Sequence, residues 1–215
     1  MVCVSMMDKI LWLGHASFKI LDEKIIYIDP WEIKGEPHDA ALIFLTHEHY
    51  DHCSVKDILK VKKEGTKIIA PYECKPVLDV KVATPDKLKF VKPKEKFIVE
   101  GLHVETVPAY NIGKRFHEKS GTRVGYVISV LGKRIYHAGD TDFIPEMKDI
   151  KCDIALLPIG GTYTMSYEDA AKAAETIRPE IVIPMHYGKI VGSKEDVAKL
   201  KKLYSGKVVE LTPQP

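Results

Sequence analysis

The segment Ala40–His52 reads AALIFLTHEHYDH and carries the most informative pattern in this chain. Its first part, Ala40–Leu45, is a short continuous apolar run, which predicts a strand that is buried on both faces. Its second part places four metal-binding side chains in six residues, in the pattern H-x-H-x-D-H. These side chains are His47, His49, Asp51 and His52. Because a turn after the strand lets them converge, and because imidazole and carboxylate groups bind Zn, Fe, Mn or Ni, the segment predicts a metal site.

The elements around this segment occur twice along the chain in the same order. Each copy is predicted to contain a hairpin ending at an aspartate, a buried strand, a helix with a Ser-x-x-Asp capping signature, and a second buried strand. The first copy comprises Ser17–Leu21, Lys24–Ile28, Asp29, Ala40–Leu45, Ser54-x-x-Asp57 and Lys67–Pro71. The second comprises Val124–Val130, Arg134–His137, Asp140, Ile154–Leu157, Ser166-x-x-Asp169 and Glu180–Pro184. Two such copies predict an α/β fold, a four-layered αββα sandwich.

The remaining segments complete this plan without adding a second domain. A third capping signature at Ser193 predicts a C-terminal helix with Val197, Leu200 and Leu203 on one face. The Lys-rich segment Val77–Val107 predicts short strands that bridge the two halves. Since no Gly/Ser-rich or Pro-rich linker divides the sequence, we expect residues 1–215 to form one domain of two similar halves.

The composition argues against several classes of protein. The 215 residues have 45% hydrophobic side chains and a formal net charge of +2. No apolar stretch reaches the roughly 18 residues of a membrane span, and so low a charge does not favour nucleic acid. We therefore expect a cytoplasmic protein that acts on a small molecule and has no nucleic-acid or membrane partner. The chain could form a homo-oligomer, which the sequence does not decide.

Two minor features concern temperature and compartment. The chain contains 28 Lys but only one Asn and one Gln, which is typical of organisms that live at high temperature. The four cysteines, Cys3, Cys53, Cys74 and Cys152, form no C-x-x-C pair and are expected to be free thiols. The N-terminal residues lack the pattern of a signal peptide.

The second half offers two further ligand candidates at corresponding places. Asp140 ends the second hairpin after Gly139, just as Asp29 ends the first, and His186 follows the strand Glu180–Pro184. A glycine before Asp140 lets the backbone approach the site closely. His137 is expected to point to the other face and to be structural.

These residues resemble those of the metallo-β-lactamase superfamily. The resemblance rests on the H-x-H-x-D-H segment, Gly139-Asp140 and His186, and it extends over nearly the whole chain. Within the superfamily the sequence resembles one branch more than others, the small stand-alone metal-dependent hydrolases related to ascorbate phosphate lactonases and N-acyl phosphatidylethanolamine phospholipase D. The stretches that carry it are Trp12–Ala16, Tyr136–Thr141, Leu157–Met165 and Ile183–Gly188. The fold that this resemblance implies is again the αββα sandwich.

The resemblance also implies two divalent metal ions, Zn²⁺ before Mn²⁺, Fe²⁺ or Ni²⁺. It assigns His47 and His49 to the first ion, and Asp51, His52 and His186 to the second. Asp140 would bridge the two ions. Asp29 would orient a ligand histidine through its ring N–H.

The third ligand of the first ion departs from the family pattern. The family usually has a histidine after the strand that ends near Val107-Pro108, but this sequence has Ala109-Tyr110-Asn111 there. His117 in the following loop is the alternative ligand; otherwise it contacts substrate or solvent. Asn111 would then support a ligand or contact substrate. If neither residue binds metal, the protein would work with one ion.

The predicted activity is hydrolysis by a metal-bound hydroxide, without a covalent intermediate. The substrate is expected to be a small, anionic ester, lactone or phosphodiester. Asp51 would also orient the attacking water. His15 would donate a proton to a leaving group or bind a phosphate, or be a structural residue at a strand end.

The substrate contacts and the competing functions stay open at this point. Lys114, Arg115 and the segment Gly160–Thr162 are candidates for binding an anionic group, or belong to an ordinary Lys-rich surface. A nucleic-acid-processing hydrolase of the same fold is one alternative function. A non-catalytic metal-binding protein is a second alternative function. It stays open because Ala109-Tyr110-Asn111 lacks the histidine that the family usually has at this place.

Overall fold

Each of the two sequence copies builds its own six-stranded mixed sheet. The computed structural model describes residues 6–78 and 82–214. The first unit extends up to Val91 and includes the segment from Leu211, whereas the second unit is Lys92–Glu210. Cys3 and residues 79–81 of the predicted bridging segment lie outside the described residues. That residues 1–215 form one domain stays a prediction.

Within residues 6–78 and 82–91, the first unit has strand order β1-β2-β3-β4-β5-β6 and one α-helix. Its strands are β1 (Ile10–Gly14), β2 (Ser17–Ile20), β3 (Ile26–Ile28), β4 (Ala40–Phe44), β5 (Lys62–Pro71) and β6 (Leu88–Val91). Helix α1 is Val55–Val61, and short 3₁₀ turns occur at Met6–Lys9, Tyr72–Cys74 and Pro85–Lys87. Strands β1 to β3 pair antiparallel, and β3 to β6 pair parallel.

The second unit has strand order β12-β11-β10-β9-β8-β7 and two α-helices. Its strands are β7 (Lys96–Val99), β8 (Leu102–Pro108), β9 (Val124–Val130), β10 (Lys133–His137), β11 (Ile154–Pro158) and β12 (Ile181–Met185). The helices are α2 (Tyr167–Ile177) and α3 (Lys194–Leu203), with a 3₁₀ turn at Pro145–Asp149. Strands β7 to β10 pair antiparallel, and β10 to β12 pair parallel.

The predicted repeat is confirmed by the matching strand pairing of β2 to β5 in the first unit and β9 to β12 in the second. The hairpin β2–β3 corresponds to β9–β10, and each hairpin continues into two parallel strands with a helix between them. The apolar runs are buried as expected, since Leu42, Ile43 and Phe44 in β4 are fully buried. This places the aspartates after β3 and β10, and the histidines after β4 and β12, at carboxyl ends of parallel strands.

The capping signatures begin the helices where the sequence predicts. The Oγ atoms of Ser54 and Ser166 accept hydrogen bonds from the backbone N–H groups three residues later. In α3 the backbone N–H of Ser193 donates to Asp196 Oδ2 at 2.8 Å. None of the described helices is both long enough and apolar enough to cross a membrane.

Leu203 differs from its prediction, whereas the segment Val77–Val107 contains the predicted short strands among its described residues. Leu203 is 51% exposed, so the buried face of α3 ends at Val197 and Leu200. The reason is that Leu203 ends the helix, and the next residue, Tyr204, is the buried one. The segment Val77–Val107 divides between the sheets, because β6 pairs with β5 whereas β7 and β8 extend the second sheet.

Candidate functional site

In the first unit, Asp29 anchors the loop Thr46–His52 (the ligand loop) that follows β4. Its Oδ1 accepts a 2.8 Å hydrogen bond from the Thr46 N–H, and its Oδ2 accepts one of 2.6 Å from the Thr46 hydroxyl. The same Oδ2 accepts a 2.7 Å hydrogen bond from His52 Nδ1. Asp29 is fully buried and has φ 45°, a strained conformation for a non-glycine residue. The bond to Nδ1 leaves the Nε2 lone pair of His52 available to a metal ion.

His47 and His49 direct two ring nitrogens toward one point. His47 Nε2 lies 3.0 Å from His49 Nδ1, and the two rings meet edge to face. The Thr46 hydroxyl gives its proton to Asp29, so at 3.0 Å it accepts the Nδ1–H of His47. His47 therefore has a fixed tautomer with Nε2 deprotonated, which is the form that binds a metal ion.

Asp51 and His52 form a second convergent set together with His15. Oδ2 of Asp51 accepts a 3.0 Å hydrogen bond from His15 Nε2 and lies 3.5 Å from His52 Nε2. Ligand atoms of these three residues lie within 4.8 Å of one another. His15, which the resemblance places at the rim, is only 1% exposed. The tight turn between β1 and β2 buries it, with φ 52° and its carbonyl bonded to the indole N–H of Trp12.

The second unit gathers the other three predicted ligands. Asp140 Oδ2 lies 3.1 Å from His186 Nε2 and 3.7 Å from His117 Nε2, and all three residues are at most 4% exposed. Asp140 follows β10 by way of Gly139, and His186 follows β12 directly. His117 and His186 have φ 60° and 58°, so both have left-handed backbones. One carboxylate oxygen thus faces two imidazoles.

Asn111 and His117 have different roles, which the sequence could not distinguish. The amide nitrogen of Asn111 donates to the carbonyls of Phe116 and Tyr163, at 3.0 and 2.6 Å, and lies 3.2 Å from His117 Nδ1. The Asn111 N–H also donates to the His117 carbonyl at 2.7 Å. Asn111 therefore fixes the loop that carries His117, while Nε2 of His117 faces Asp140.

Gly160 is a supporting residue whose role the sequence did not reveal. A Cβ atom at Gly160 would lie 2.5 Å from the His186 carbonyl oxygen and 3.3 Å from its Nδ1. Only glycine permits this approach, so β11 and the turn after β12 can hold the His186 ring closely. In the sequence, the Gly160-Gly161 pair could have indicated this close approach of two backbone segments, but the same pair also suggested an anion-binding turn.

Lys114, for which the sequence left both anion binding and an ordinary surface position open, makes hydrogen bonds within the second unit. Its ammonium group donates to Asp142 Oδ1, to the Thr164 carbonyl at 2.6 Å and to the Gly161 carbonyl at 3.1 Å. These three acceptors use all three of its protons. Arg115, the other candidate, is exposed.

Two further residues near the ligands agree with their expected structural roles. His137 is fully buried and its Nδ1 accepts the Gly139 N–H at 3.2 Å. Cys53, directly after His52, is 2% exposed and packs in the core of the first unit. The contact with Cys53, together with burial, raises the pKa of the Cys74 thiol. Cys53, Cys74 and Cys152 are free thiols.

Known proteins share both this fold and this chemistry. A family model described as the beta-lactamase superfamily domain matches residues 9–186, a range that contains all the predicted ligands. The UPF0173 metal-dependent hydrolase of Thermococcus onnurineus is 35% identical, over 95% of this chain and 100% of that protein. The counterpart from Pyrococcus abyssi is 36% identical, over 96% of this chain and 97% of that protein.

Two solved structures are similar over nearly the full chain. A metal-dependent hydrolase from Parabacteroides distasonis has 34% identity and a TM-score of 0.81, covering 95% of this chain and 93% of that one. Igni18, a metallo hydrolase from the hyperthermophilic archaeon Ignicoccus hospitalis, has 29% identity and a TM-score of 0.78, covering 96% and 95%.

The duplicated mixed sheets with His/Asp clusters at their strand ends are those of a metal-dependent hydrolase with the metallo-β-lactamase fold. The chain belongs to the β-lactamase superfamily. The resemblance seen in the sequence and the αββα fold class are thereby confirmed.

Proposed function

We propose that the two ligand clusters together bind two divalent metal ions, Zn²⁺ first, and that the enzyme hydrolyses a small anionic ester, lactone or phosphodiester. The observation that carries this proposal is the convergence of donors in the ligand loop. Two ring nitrogens lie 3.0 Å apart at His47 and His49, and Asp51 Oδ2 lies 3.5 Å from His52 Nε2. Neutral imidazoles combined with carboxylates are a donor set that fits zinc.

In this proposal the second unit supplies the remaining donors. His117 would join His47 and His49 in holding the first ion, and His186 would join Asp51 and His52 in holding the second. Asp140 would serve both ions, and its position at 3.1 Å from His186 and 3.7 Å from His117 supports this role. Bound ions would supply a Lewis acid and a water molecule whose pKa is lowered to about 7.

The residues around the ligands prepare this chemistry. Asp29 keeps the Nδ1 proton on His52, and Thr46 does the same for His47, so each ring offers Nε2. Asp51 orients the attacking water as well as binding metal. Because His15 is buried and donates to Asp51 at 3.0 Å, we assign it to positioning Asp51 rather than to protonating a leaving group.

The substrate and setting follow from charge and surface. Arg115 is exposed in the loop that carries His117 and is our candidate for contacting an anionic group. The net charge of +2 does not favour a polyanion, so we propose a small molecule and not nucleic acid. We also propose that the protein is cytoplasmic and has no membrane partner. A homo-oligomer is a further possibility that this proposal allows.

The test combines metal analysis with hydrolysis assays on the full chain. We expect two Zn²⁺ per chain at saturation and cleavage of bis-p-nitrophenyl phosphate or a p-nitrophenyl ester, with no cleavage of RNA or DNA. His49→Ala should lower kcat/KM at least 100-fold, while His103→Ala, an exposed histidine on β8, should not. Full activity of metal-loaded His49→Ala would refute the proposal. Less than one ion per chain would favour a non-catalytic protein.

A further inference from the structure

A cavity of about 620 Å³ lies in the first unit beside the ligand loop. Glu48 and Tyr50 of the ligand loop, and the adjacent Cys53, are among its lining residues. Trp31, Ile33 and Val77 also line it. A space of this size accommodates part of a small organic molecule.

Two aromatic rings stand where the cavity meets the ligand loop. Tyr50 lies between His49 and Asp51 in sequence and is 67% exposed. Its ring centre is 6.2 Å from that of Trp31, at an interplanar angle of 72°. Trp31 in turn lies 5.1 Å from the ring of His15, whose Nε2 donates to Asp51. The rings therefore connect the cavity with the candidate metal ligands.

The position of Trp31 is built into the fold of the first unit. The buried carboxylate of Asp57 accepts hydrogen bonds from the backbone N–H groups of Glu32 and Ile33, both at 3.0 Å. Lys60 donates to the Ile33 carbonyl at 2.6 Å and to Asp57 at 2.8 Å. The residues directly after Trp31 are thus fixed before any ligand arrives, which lowers the entropic cost of binding.

The charges around the cavity do not favour an anion. Asp57 and Lys60 neutralise each other, and the other charged lining residues are Glu32, Glu48 and Lys56. One lysine against two glutamates leaves a slight negative charge. An aromatic wall without excess positive charge favours an uncharged ring or apolar group.

We propose that this cavity binds the neutral aromatic or apolar portion of the substrate, with Trp31 and Tyr50 as its contact surface. The inference rests on the proposed function, because it assumes that the hydrolysed group lies at the ligand loop. The substrate would then have two parts, an anionic or ester group at the metal ions and an uncharged ring or chain in the cavity.

Calorimetric titration of the zinc-loaded full chain with phenylphosphonate and methylphosphonate tests this inference. Both probes share one anionic group and differ in the ring. We expect phenylphosphonate to bind about tenfold more tightly. Tyr50→Ala should reduce that ratio below about threefold, and Tyr50→Phe should keep it. Tyr72→Ala is the matched control, since Tyr72 is 54% exposed in the same unit and packs on Phe90 outside the cavity.

A second measurement does not depend on metal. Benzyl alcohol titrated into metal-free, ¹⁵N-labelled protein should shift the indole N–H signal of Trp31, assigned with Trp31→Phe, and the shift should shrink in Tyr50→Ala. Equal affinities for the two phosphonates, or an unmoved Trp31 signal, would overturn the inference. Those results would leave the proposed function intact if zinc binding and hydrolysis persist, so the two failures are distinguishable.

Discussion

Oδ2 of Asp29 accepts a 2.7 Å hydrogen bond from Nδ1 of His52, and both side chains are fully buried. The same oxygen accepts the Thr46 hydroxyl, whose oxygen in turn contacts His47. A single aspartate at the end of β3 therefore sets the orientation of two predicted metal ligands. This explains why an aspartate ends the first hairpin although it is not itself a predicted ligand.

Asp29→Asn should weaken metal binding without removing a ligand. The amide has no charge to hold the Nδ1 proton of His52, so the ring can rotate or change tautomer, and we expect a 10- to 100-fold loss of zinc affinity. Competition with a chromophoric chelator measures the change. Asp86→Asn, at an exposed aspartate of the same unit, is the control and should bind zinc as tightly as wild type. Wild-type affinity in Asp29→Asn would contradict this assignment.

Asn111→Ala should destabilise the loop that carries His117. The carbonyls of Phe116 and Tyr163 lose the hydrogen bonds from the Asn111 amide, so the free energy of unfolding should fall by about 1–3 kcal/mol in metal-free protein. Urea denaturation measures this. Because His117 loses its support, saturating zinc should also drop from two ions to one. Two tightly bound ions in Asn111→Ala would show that His117 is not a ligand or needs no support.

Gly160→Ala should displace His186. The new Cβ would meet the His186 carbonyl at 2.5 Å, and such overpacking costs about 1–3 kcal/mol. We expect lower zinc affinity together with a lower melting temperature. Gly161→Ala is the control for backbone strain, because Gly161 has φ +84° but its Cβ would meet only Ser166, at 3.9 Å or more. Gly161→Ala should therefore keep wild-type zinc affinity. If Gly160→Ala keeps it as well, the close approach of Gly160 to His186 is not needed for metal binding.

Lys114→Met and Arg115→Met form a pair that separates structure from substrate binding. Lys114→Met removes the hydrogen bonds from Lys114 to Asp142 Oδ1 and to two carbonyls, so it should lower stability by about 1–3 kcal/mol. Because the Arg115 side chain is exposed, Arg115→Met should change the free energy of unfolding by less than about 0.5 kcal/mol. It should instead raise KM for an anionic substrate. The reverse pattern in unfolding and kinetic assays would reassign the two residues.

Glu105→Gln should make the free energy of unfolding vary less with pH in the acid range. Burial raises the pKa of Glu105, but hydrogen bonds from Arg134 and Lys96 outweigh it and lower that pKa below 4.5. A carboxyl group whose pKa is lowered in the folded protein contributes stability above pH 4.5. That contribution is lost as the pH falls through the folded pKa. The partly exposed pair should contribute about 0.2–1 kcal/mol at pH 7. In urea denaturation, the stabilities of wild type and variant should therefore converge as the pH falls through the folded pKa of Glu105; an unchanged difference would contradict the linkage.

The sequence alone determined the repeated order of elements and the set of candidate ligands. Apolar runs, turns and Ser-x-x-Asp caps are local signals, so the pairing of β2 to β5 and of β9 to β12 follows from short segments. H-x-H-x-D-H also acts locally, because four ligands in six residues share one turn. The family membership confirmed by known relatives could be recognised from these same residues.

The contacts of the supporting residues could be read only from the three-dimensional structure. Asn111 meets Tyr163 across 52 positions of sequence, and Lys114 meets Thr164 across 50, so no spacing rule connects them. His15 is buried against Asp51, 36 positions away, although the resemblance placed it at the rim. Such contacts depend on how loops from different strands meet at one sheet edge. That meeting is fixed by packing and hydrogen bonding over the whole unit, and not by the residues next to each side chain.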